Sequence, residues 1–224
     1  QRTLTEILTA FSEILRDTGA EIVGGHSSMG DEMTIGLTLT GLCARPPITL
    51  GGAQIGDDLV LTKPLGSGVL MAAEMQGAAR GAWVGAALAS MTRPQADAAA
   101  ILQDAHAMTD VTGFGLAGHL HGICMASGVS AALTLDAIPL LPGALELSAR
   151  GIRSTLYPKN RDAVPGLTLE TPRADLLFDP QTAGGLLAAI PDGAARVAEL
   201  RAAGYEAAVV GRIDGDWPGQ ISIV

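Results

Sequence analysis

The segment of residues 109–119 carries one acidic residue, three glycines and an apolar run with helical spacing, in that order. The two residues before it are apolar, which predicts a short strand that ends at Asp110. Gly113, Gly115 and Gly118 would let backbone N–H groups approach a ligand at the start of the following helix. The Asp110 carboxylate is a hard oxygen ligand of the kind that Mg²⁺ prefers. The segment is therefore a candidate site for a metal-bound phosphate.

The same residues also suit a purely structural role. Asp-x-Thr-Gly is typical of turns and helix N-caps, so Asp110 or Thr112 could cap a helix that runs from Leu116 onward. The segment alone favours capping. Two further segments share its plan, however: residues 179–187 contain an acid, a turn and paired glycines, and residues 22–27 contain an apolar approach, paired glycines and a polar tip. Three such loops in one chain suggest a common phosphate-rich ligand.

Four segments together resemble a known family. Residues 24–26, 61–69, 109–119 and 179–187 are similar, in order and spacing, to sequence blocks of selenophosphate synthetase, also called selenide, water dikinase. That family belongs to the aminoimidazole-ribonucleotide-synthetase-like superfamily. The resemblance covers essentially the whole chain, and four ordered blocks are much stronger evidence than one glycine motif. It implies an α/β (α+β) fold, with a two-layer mixed sheet and helices.

The resemblance implies a reaction and its site. ATP, selenide and water would give selenophosphate, AMP and phosphate, with Asp110 as the Mg²⁺ ligand. Gly24, Gly25 and His26 would contact ATP, reaching the nucleotide of the partner subunit in a homodimer. Candidate phosphate or substrate contacts are Lys63, Thr112, Gly113, Asn160 and Thr182.

Some of these residues have an equally available structural role. Lys63 could extend from the sheet edge to solvent, and Asn160 lies in a polar cluster, residues 157–161, that could be a surface loop. Asp179 is expected to cap the turn at Pro180. His119 and His121 are two residues apart on a predicted helix and do not face each other, which makes a histidine pair at a metal site improbable.

Parts of the family pattern are absent from these 224 residues. Family members begin with a glycine-rich segment that bears the reactive Cys or selenocysteine, a nearby Lys and further acids. We therefore expect those groups, and any fused oxidoreductase module, to lie upstream of Gln1, and we expect the 224 residues alone to be inactive. Met29 also stands where the family commonly has an acid, with Asp31 and Glu32 displaced.

Two other functions stay open. One is a sister ATP-dependent synthetase or kinase of the same superfamily, acting on a formylglycinamidine, thiamine phosphate or carbamoyl substrate. The other is a non-catalytic module that dimerises or packs against another protein. Dependence of AMP formation on selenide distinguishes these alternatives from the favoured assignment.

Composition excludes several classes of protein. Hydrophobic residues make up 48% of the chain and mean hydropathy is +0.33, which is ample for a core. A net charge of −9 argues against nucleic acid as the main partner. Cys43 and Cys124 form no Cys-x-x-Cys pair and are expected to be buried and reduced. No membrane-spanning stretch is expected, and the pattern favours a cytoplasmic protein.

Pro46 and Pro47 mark the expected domain boundary, because neither can donate to a strand ladder. Residues 1–47 would be the remnant of an N-terminal ATP-binding and dimerisation domain, and residues 48–224 the C-terminal synthetase-like domain. The pattern predicts helices over 3–19, 69–80, 83–91, 94–106, 116–127, 142–150 and 193–203, strands over 21–23, 34–41, 58–62, 129–135, 186–190, 207–213 and 220–224, and a long loop over 151–172.

Overall fold

The computed structural model describes residues 2–16 and 18–224, which divide into two units at Pro46 and Pro47. The first unit contains helix α1 (Arg2–Arg16), which confirms the helix predicted over 3–19. Arg2 Nε lies 2.9 Å from Glu6 Oε1, one helical turn away on the exposed surface. Cys43 lies in this unit and is exposed, so its predicted burial is wrong.

The strands predicted at 21–23 and 34–41 are also wrong. The structure places both segments outside any regular element, and Leu37 and Leu39 are exposed. Alternation of apolar and polar residues indicates which face of a strand would be buried, but it does not supply a neighbouring strand. A strand needs that neighbour for its backbone hydrogen bonds, and the described part of the first unit contains none.

The second unit is built on a six-stranded mixed sheet in the order β2-β4-β1-β5-β3-β6. Its strands are antiparallel except for the parallel pair β3 and β6. The mixed sheet expected from the sequence is confirmed. The strands are β1 (Asp58–Leu61), β2 (Ala107–Asp110), β3 (Ser130–Leu133), β4 (Leu186–Ile190), β5 (Ala208–Gly215) and β6 (Ile221–Ile223).

Helices cover both faces of this sheet. Successive strand residues point to opposite sides, so neighbouring residues of one strand pack in different cores. Leu59 and Leu61 pack in one core with α5, whereas Val60 packs in another with α4 and α9. A third cluster joins α2, α3 and α6. The helices are α2 (Ser67–Met75), α3 (Gly81–Thr92), α4 (Ala96–Ile101), α5 (Gly115–Ser127), α6 (Ala144–Ala149), α7 (Tyr157–Asp162), α8 (Pro172–Asp175) and α9 (Gly193–Ala202).

Two predictions for this unit fail in part. Helix α4 is shorter than the predicted 94–106, because the chain must already be extended at His106, whose N–H donates to Ala189 O. The His106 ring lies 2.9 Å from the buried carboxylate of Asp57. Helix α7 lies inside the predicted loop 151–172. With six residues it is too short to show helical periodicity, although Pro158 is well placed in its first turn.

Burial keeps the thiol of the second cysteine, Cys124, protonated. Cys124 is buried in α5, as predicted, and desolvation raises the pKa of its thiol to about 12. Among the described helices, none is long and apolar enough to span a membrane.

Candidate functional site

The strand register brings three of the four sequence blocks to one edge of the sheet. Asp110, the last residue of β2, pairs with Leu186 at the start of β4, and Leu61, the last residue of β1, pairs with Leu187. The chain leaves β1 and β2 at the edge where it enters β4. Residues 61–69, 109–119 and 179–187 therefore meet there.

The glycine loop, residues 111–115, is attached to the 179–187 segment by backbone hydrogen bonds. Val111 N donates to Gly185 O over 2.8 Å, and Gln181 N donates to Thr112 O over 2.9 Å. Asp110 lies immediately before this loop and is exposed. The Asp110 carboxylate is thus accessible to a ligand in solvent, while the backbone on either side of it is held by hydrogen bonds to β4 and to the segment before β4.

His119 also holds the glycine loop. Its Nε2 accepts a hydrogen bond from Thr112 N over 2.9 Å and lies 3.2 Å from Thr112 Oγ1. Burial lowers the pKa of His119, and the nearby charge of Asp110 opposes that effect. His121 lies against Gly219 O instead. The sequence analysis missed this use of His119, whose only signal is its position one turn into α5, seven residues after Thr112.

Gln181 and Asp179 occupy the N-terminal amides of α2. Gln181 Oε1 accepts from Gly66 N over 3.0 Å and from Ser67 N over 3.2 Å, and Asp179 Oδ2 accepts from Gly68 N over 3.0 Å. The expectation that Asp179 caps the turn at Pro180 is therefore corrected, because its carboxylate caps a helix 111 positions earlier in the chain. These α2 amides are bound by protein groups.

The Asp179 carboxyl is 3% exposed, and its burial raises its pKa to about 6. Hydrogen bonds from the amides of Val69, Gln181 and Gly68 oppose the shift. Its ordinary pKa is 3.8, so the folded chain binds this proton more tightly than the unfolded chain between about pH 4 and pH 6. The resulting stabilisation is complete below pH 4 and is lost as the pH rises through 6.

We expect Asp179→Asn to remove this pH dependence. Relative to wild type, the free energy of unfolding of the variant should rise by up to about 3 kcal/mol between pH 4 and pH 7, because wild type alone must bury a charge. Urea unfolding at several pH values measures this difference. Asp216→Asn, at an exposed loop position, is the control for the loss of one surface charge. A pH-independent difference between Asp179→Asn and wild type would contradict the shifted pKa.

The remaining sequence candidates are in different surroundings. Lys63 is 3% exposed, and its Nζ donates to Arg93 O over 2.9 Å and to Ala183 O over 3.0 Å, which supports its structural role. Burial, and secondarily Arg93, lower its pKa. Thr182 is exposed and its N–H donates to Ser67 Oγ over 2.9 Å, whereas Asn160 is buried on α7. Gly24, Gly25 and His26 are exposed in the first unit.

The exposed carboxylate of Asp110 could supply one oxygen ligand to a magnesium ion. Mg²⁺ usually takes one or two carboxylates from protein and completes its shell with phosphate and water oxygens. Within residues 2–16 and 18–224, no group of three or more His, Cys, Asp or Glu side chains could hold a metal ion together. Asp110 alone would therefore bind Mg²⁺ weakly, and the other ligands would come from phosphate, water or further acids.

A groove of the second unit lies away from Asp110, Asp179 and Lys63. It has a volume of about 1060 Å³ and is lined by parts of α5, β6 and residues 165–169. None of Asp110, Asp179 or Lys63 lines it. The meeting of the three sequence blocks, and not cavity volume, makes this sheet edge the candidate site.

Comparison with known proteins defines the class of this chain. Residues 54–224 match the model of the family described as AIR synthase related protein, C-terminal domain, and the chain belongs to that family. Solved structures with the same fold include thiamine-monophosphate kinase from Stenotrophomonas maltophilia K279a, with a TM-score of 0.56, 22% identity and coverage of 79% of this chain and 52% of that one. E. coli HypE matches with a TM-score of 0.54, 20% identity and coverage of 79% and 48%.

Curated relatives agree with the resemblance found in the sequence. Selenide, water dikinase of Pelobacter propionicus is 37% identical over 222 residues, covering 94% of this chain and 64% of the relative. The protein of the same name from Escherichia coli O157:H7 is 39% identical over 205 residues, covering 88% and 59%. That from Nitratidesulfovibrio vulgaris is 36% identical over 240 residues, covering 99% and 66%. The chain thus spans about three fifths to two thirds of the length of these relatives.

Proposed function

We propose that the chain is the back part of a selenide, water dikinase, which makes selenophosphate, AMP and phosphate from ATP, selenide and water. The observation that carries the proposal is the meeting of three sequence blocks at one sheet edge, where Asp110 is exposed beside a glycine loop whose backbone is held by β4 and His119. Relatives of that name, at 36–39% identity over most of the chain, support the choice of reaction.

In this proposal the residues have distinct tasks. Asp110 binds one Mg²⁺, which neutralises charge on the phosphates of ATP. Thr112, Gly113 and Thr182 contact phosphate or substrate from the two loops. Gly24, Gly25 and His26 contact ATP, reaching the nucleotide of the partner subunit in a homodimer. Phosphoryl transfer of this kind needs positioning and charge neutralisation more than covalent chemistry by protein groups.

The proposal also covers the rest of the protein. The reactive Cys or selenocysteine, its Lys and the further metal-binding acids would belong to a longer parent protein, so the 224 residues alone should not turn over ATP. Residues 1–47 would be the remnant of the ATP-binding and dimerisation domain. The parent would be cytoplasmic, with ATP and selenide as its small-molecule substrates. Its net charge of −9 over these residues fits a protein whose anionic substrate is bridged by Mg²⁺.

Product analysis of the full-length parent tests this function. We expect AMP and orthophosphate to form in an anaerobic reaction with ATP, Mg²⁺ and selenide, and neither to form at a comparable rate without selenide. Chromatography of nucleotides and ³¹P NMR of selenophosphate measure the products. ADP as the nucleotide product, or AMP formation that ignores selenide, would contradict the proposal and favour a sister synthetase or kinase. Absence of all turnover by the folded parent would favour the non-catalytic module.

A further inference from the structure

Asn160 connects the two loops of the candidate site. The side chain is 5% exposed, and its Nδ2 donates to Gly113 O over 2.8 Å and to Phe178 O over 3.0 Å. Gly113 belongs to the glycine loop, and Phe178 directly precedes Asp179. One amide group therefore ties the segment after Asp110 to the segment that caps α2.

Helix α7 is anchored so that Asn160 is held in this position. Tyr157 OH donates to Asp175 Oδ1 over 2.6 Å, and Arg161 Nη1 donates to Tyr157 OH over 2.8 Å. Arg161 and Arg153 each form an ion pair with Asp175. The Tyr157 ring also meets the Phe178 ring edge-on, with centroids 6.2 Å apart. Polar and aromatic contacts thus attach both ends of this short helix to the segment that precedes Asp179.

Loss of the amide would leave two carbonyl oxygens short of a partner. Phe178 is fully buried, and Gly113 is partly buried. A buried carbonyl without its hydrogen bond costs more than the bond itself contributes, so the backbone would move to recover a partner. The movement would occur at Gly113, since a glycine has wide backbone freedom.

We propose that Asn160 is a positioning residue for Asp110. Its side-chain amide fixes the glycine loop relative to the Asp179 segment. The Asp110 carboxylate is thereby held in a position to bind the Mg²⁺ of a metal-bound phosphate. The magnesium part of this inference rests on the proposed function, whereas the connection of the two loops does not. In this role Asn160 acts through the two loops, whereas the family resemblance implied a contact with phosphate or substrate.

Hydrogen exchange on the 224-residue chain tests the connection without any substrate. Asn160→Leu keeps a similar volume and removes both donors, and Asn160→Ser is a milder variant that keeps one hydroxyl donor. Both amides that donate to Thr112 O, those of Gly115 and Gln181, should exchange about five- to tenfold faster in Asn160→Leu, as expected because the glycine loop loses one of the two hydrogen bonds, that to Gly113 O. Asn160→Ser should show a smaller increase at the same two amides.

Ser148→Ala is the matched control. Ser148 is also buried, and its Oγ donates to a backbone carbonyl, Pro172 O, over 2.6 Å, without contacting either loop. This variant should leave exchange at Gly115 and Gln181 unchanged. Unchanged exchange at those amides in both Asn160 variants, or acceleration spread evenly over the chain, would overturn the inference.

A second readout in the full-length parent separates positioning from the proposed reaction. Asn160→Leu should raise the Mg²⁺ concentration for half-maximal activity by about tenfold, whereas Ser148→Ala should leave it unchanged. Faster loop exchange in a parent that lacks selenide-dependent AMP formation would support the loop connection and refute the proposed function. An unchanged Mg²⁺ requirement in an active parent would overturn the positioning role and leave the function standing.

Discussion

Replacing Asp110 by Asn in the full-length parent is expected to lower selenide-dependent AMP formation by about a hundredfold or more at fixed Mg²⁺. Asn keeps the shape of the side chain but removes the charge, and an amide oxygen is a poorer ligand for Mg²⁺ than a carboxylate. A metal ion supplies several kcal/mol of charge stabilisation in such reactions, and each 1.36 kcal/mol corresponds to about tenfold in rate. Initial rates across a series of Mg²⁺ concentrations measure the loss.

This effect should be separate from folding. Asp110 is exposed, so the free energy of unfolding of Asp110→Asn should lie within about 0.5 kcal/mol of wild type. Part of the lost rate should return at higher Mg²⁺, because the remaining ligands still bind the ion. Asp216→Asn removes the same charge from an exposed loop and should retain full activity. An Asp110→Asn enzyme that keeps its rate and its Mg²⁺ requirement would remove the central residue from the proposal.

The position of Asp110 could be predicted because its signals are local. Two apolar residues precede this acid and predict a strand that ends there, and glycines and an apolar run with helical spacing follow it. The structure confirms the strand as β2 and the helix as α5, which begins five residues after Asp110. The meeting of residues 61–69, 109–119 and 179–187 at one sheet edge was not predicted. The resemblance gave only the order and spacing of these blocks, whereas strand order depends on contacts between residues far apart in the chain.

Other features had no local signal. Gln181 caps α2 from 115 positions away, and His119 and Asn160 hold the glycine loop through side-chain hydrogen bonds. Neither kind of contact produces a periodic pattern in the sequence. The segment 34–41 shows the opposite failure, because its alternation is clear but the described residues supply no partner strand. Periodicity therefore predicts elements, whereas the contacts that position this site are set by tertiary structure.

Gly115 and Gly122, both in α5, are expected to respond to alanine in opposite directions. Gly115 has φ of +71°, and a Cβ there would lie 2.7 Å from Leu177 O and 2.9 Å from Phe178 C. These are backbone atoms of the segment before Asp179, so the clash cannot be relieved by a side-chain rotation. The left-handed backbone costs an alanine roughly 1–2 kcal/mol, and overpacking adds about 1–3 kcal/mol. We expect Gly115→Ala to lower the free energy of unfolding by about 3 kcal/mol or more.

Gly122 provides the matched control within the same helix. A Cβ at this position meets nothing within 4 Å, and its backbone is helical. Gly122→Ala should therefore raise the free energy of unfolding by roughly 0.5–1 kcal/mol, because alanine loses less backbone freedom on folding. Urea unfolding of the two variants measures a difference of about 4 kcal/mol. A difference below about 1 kcal/mol would show that the start of α5 can move away from Phe178, and the glycine loop would then lack the rigid support on which the placement of Asp110 depends.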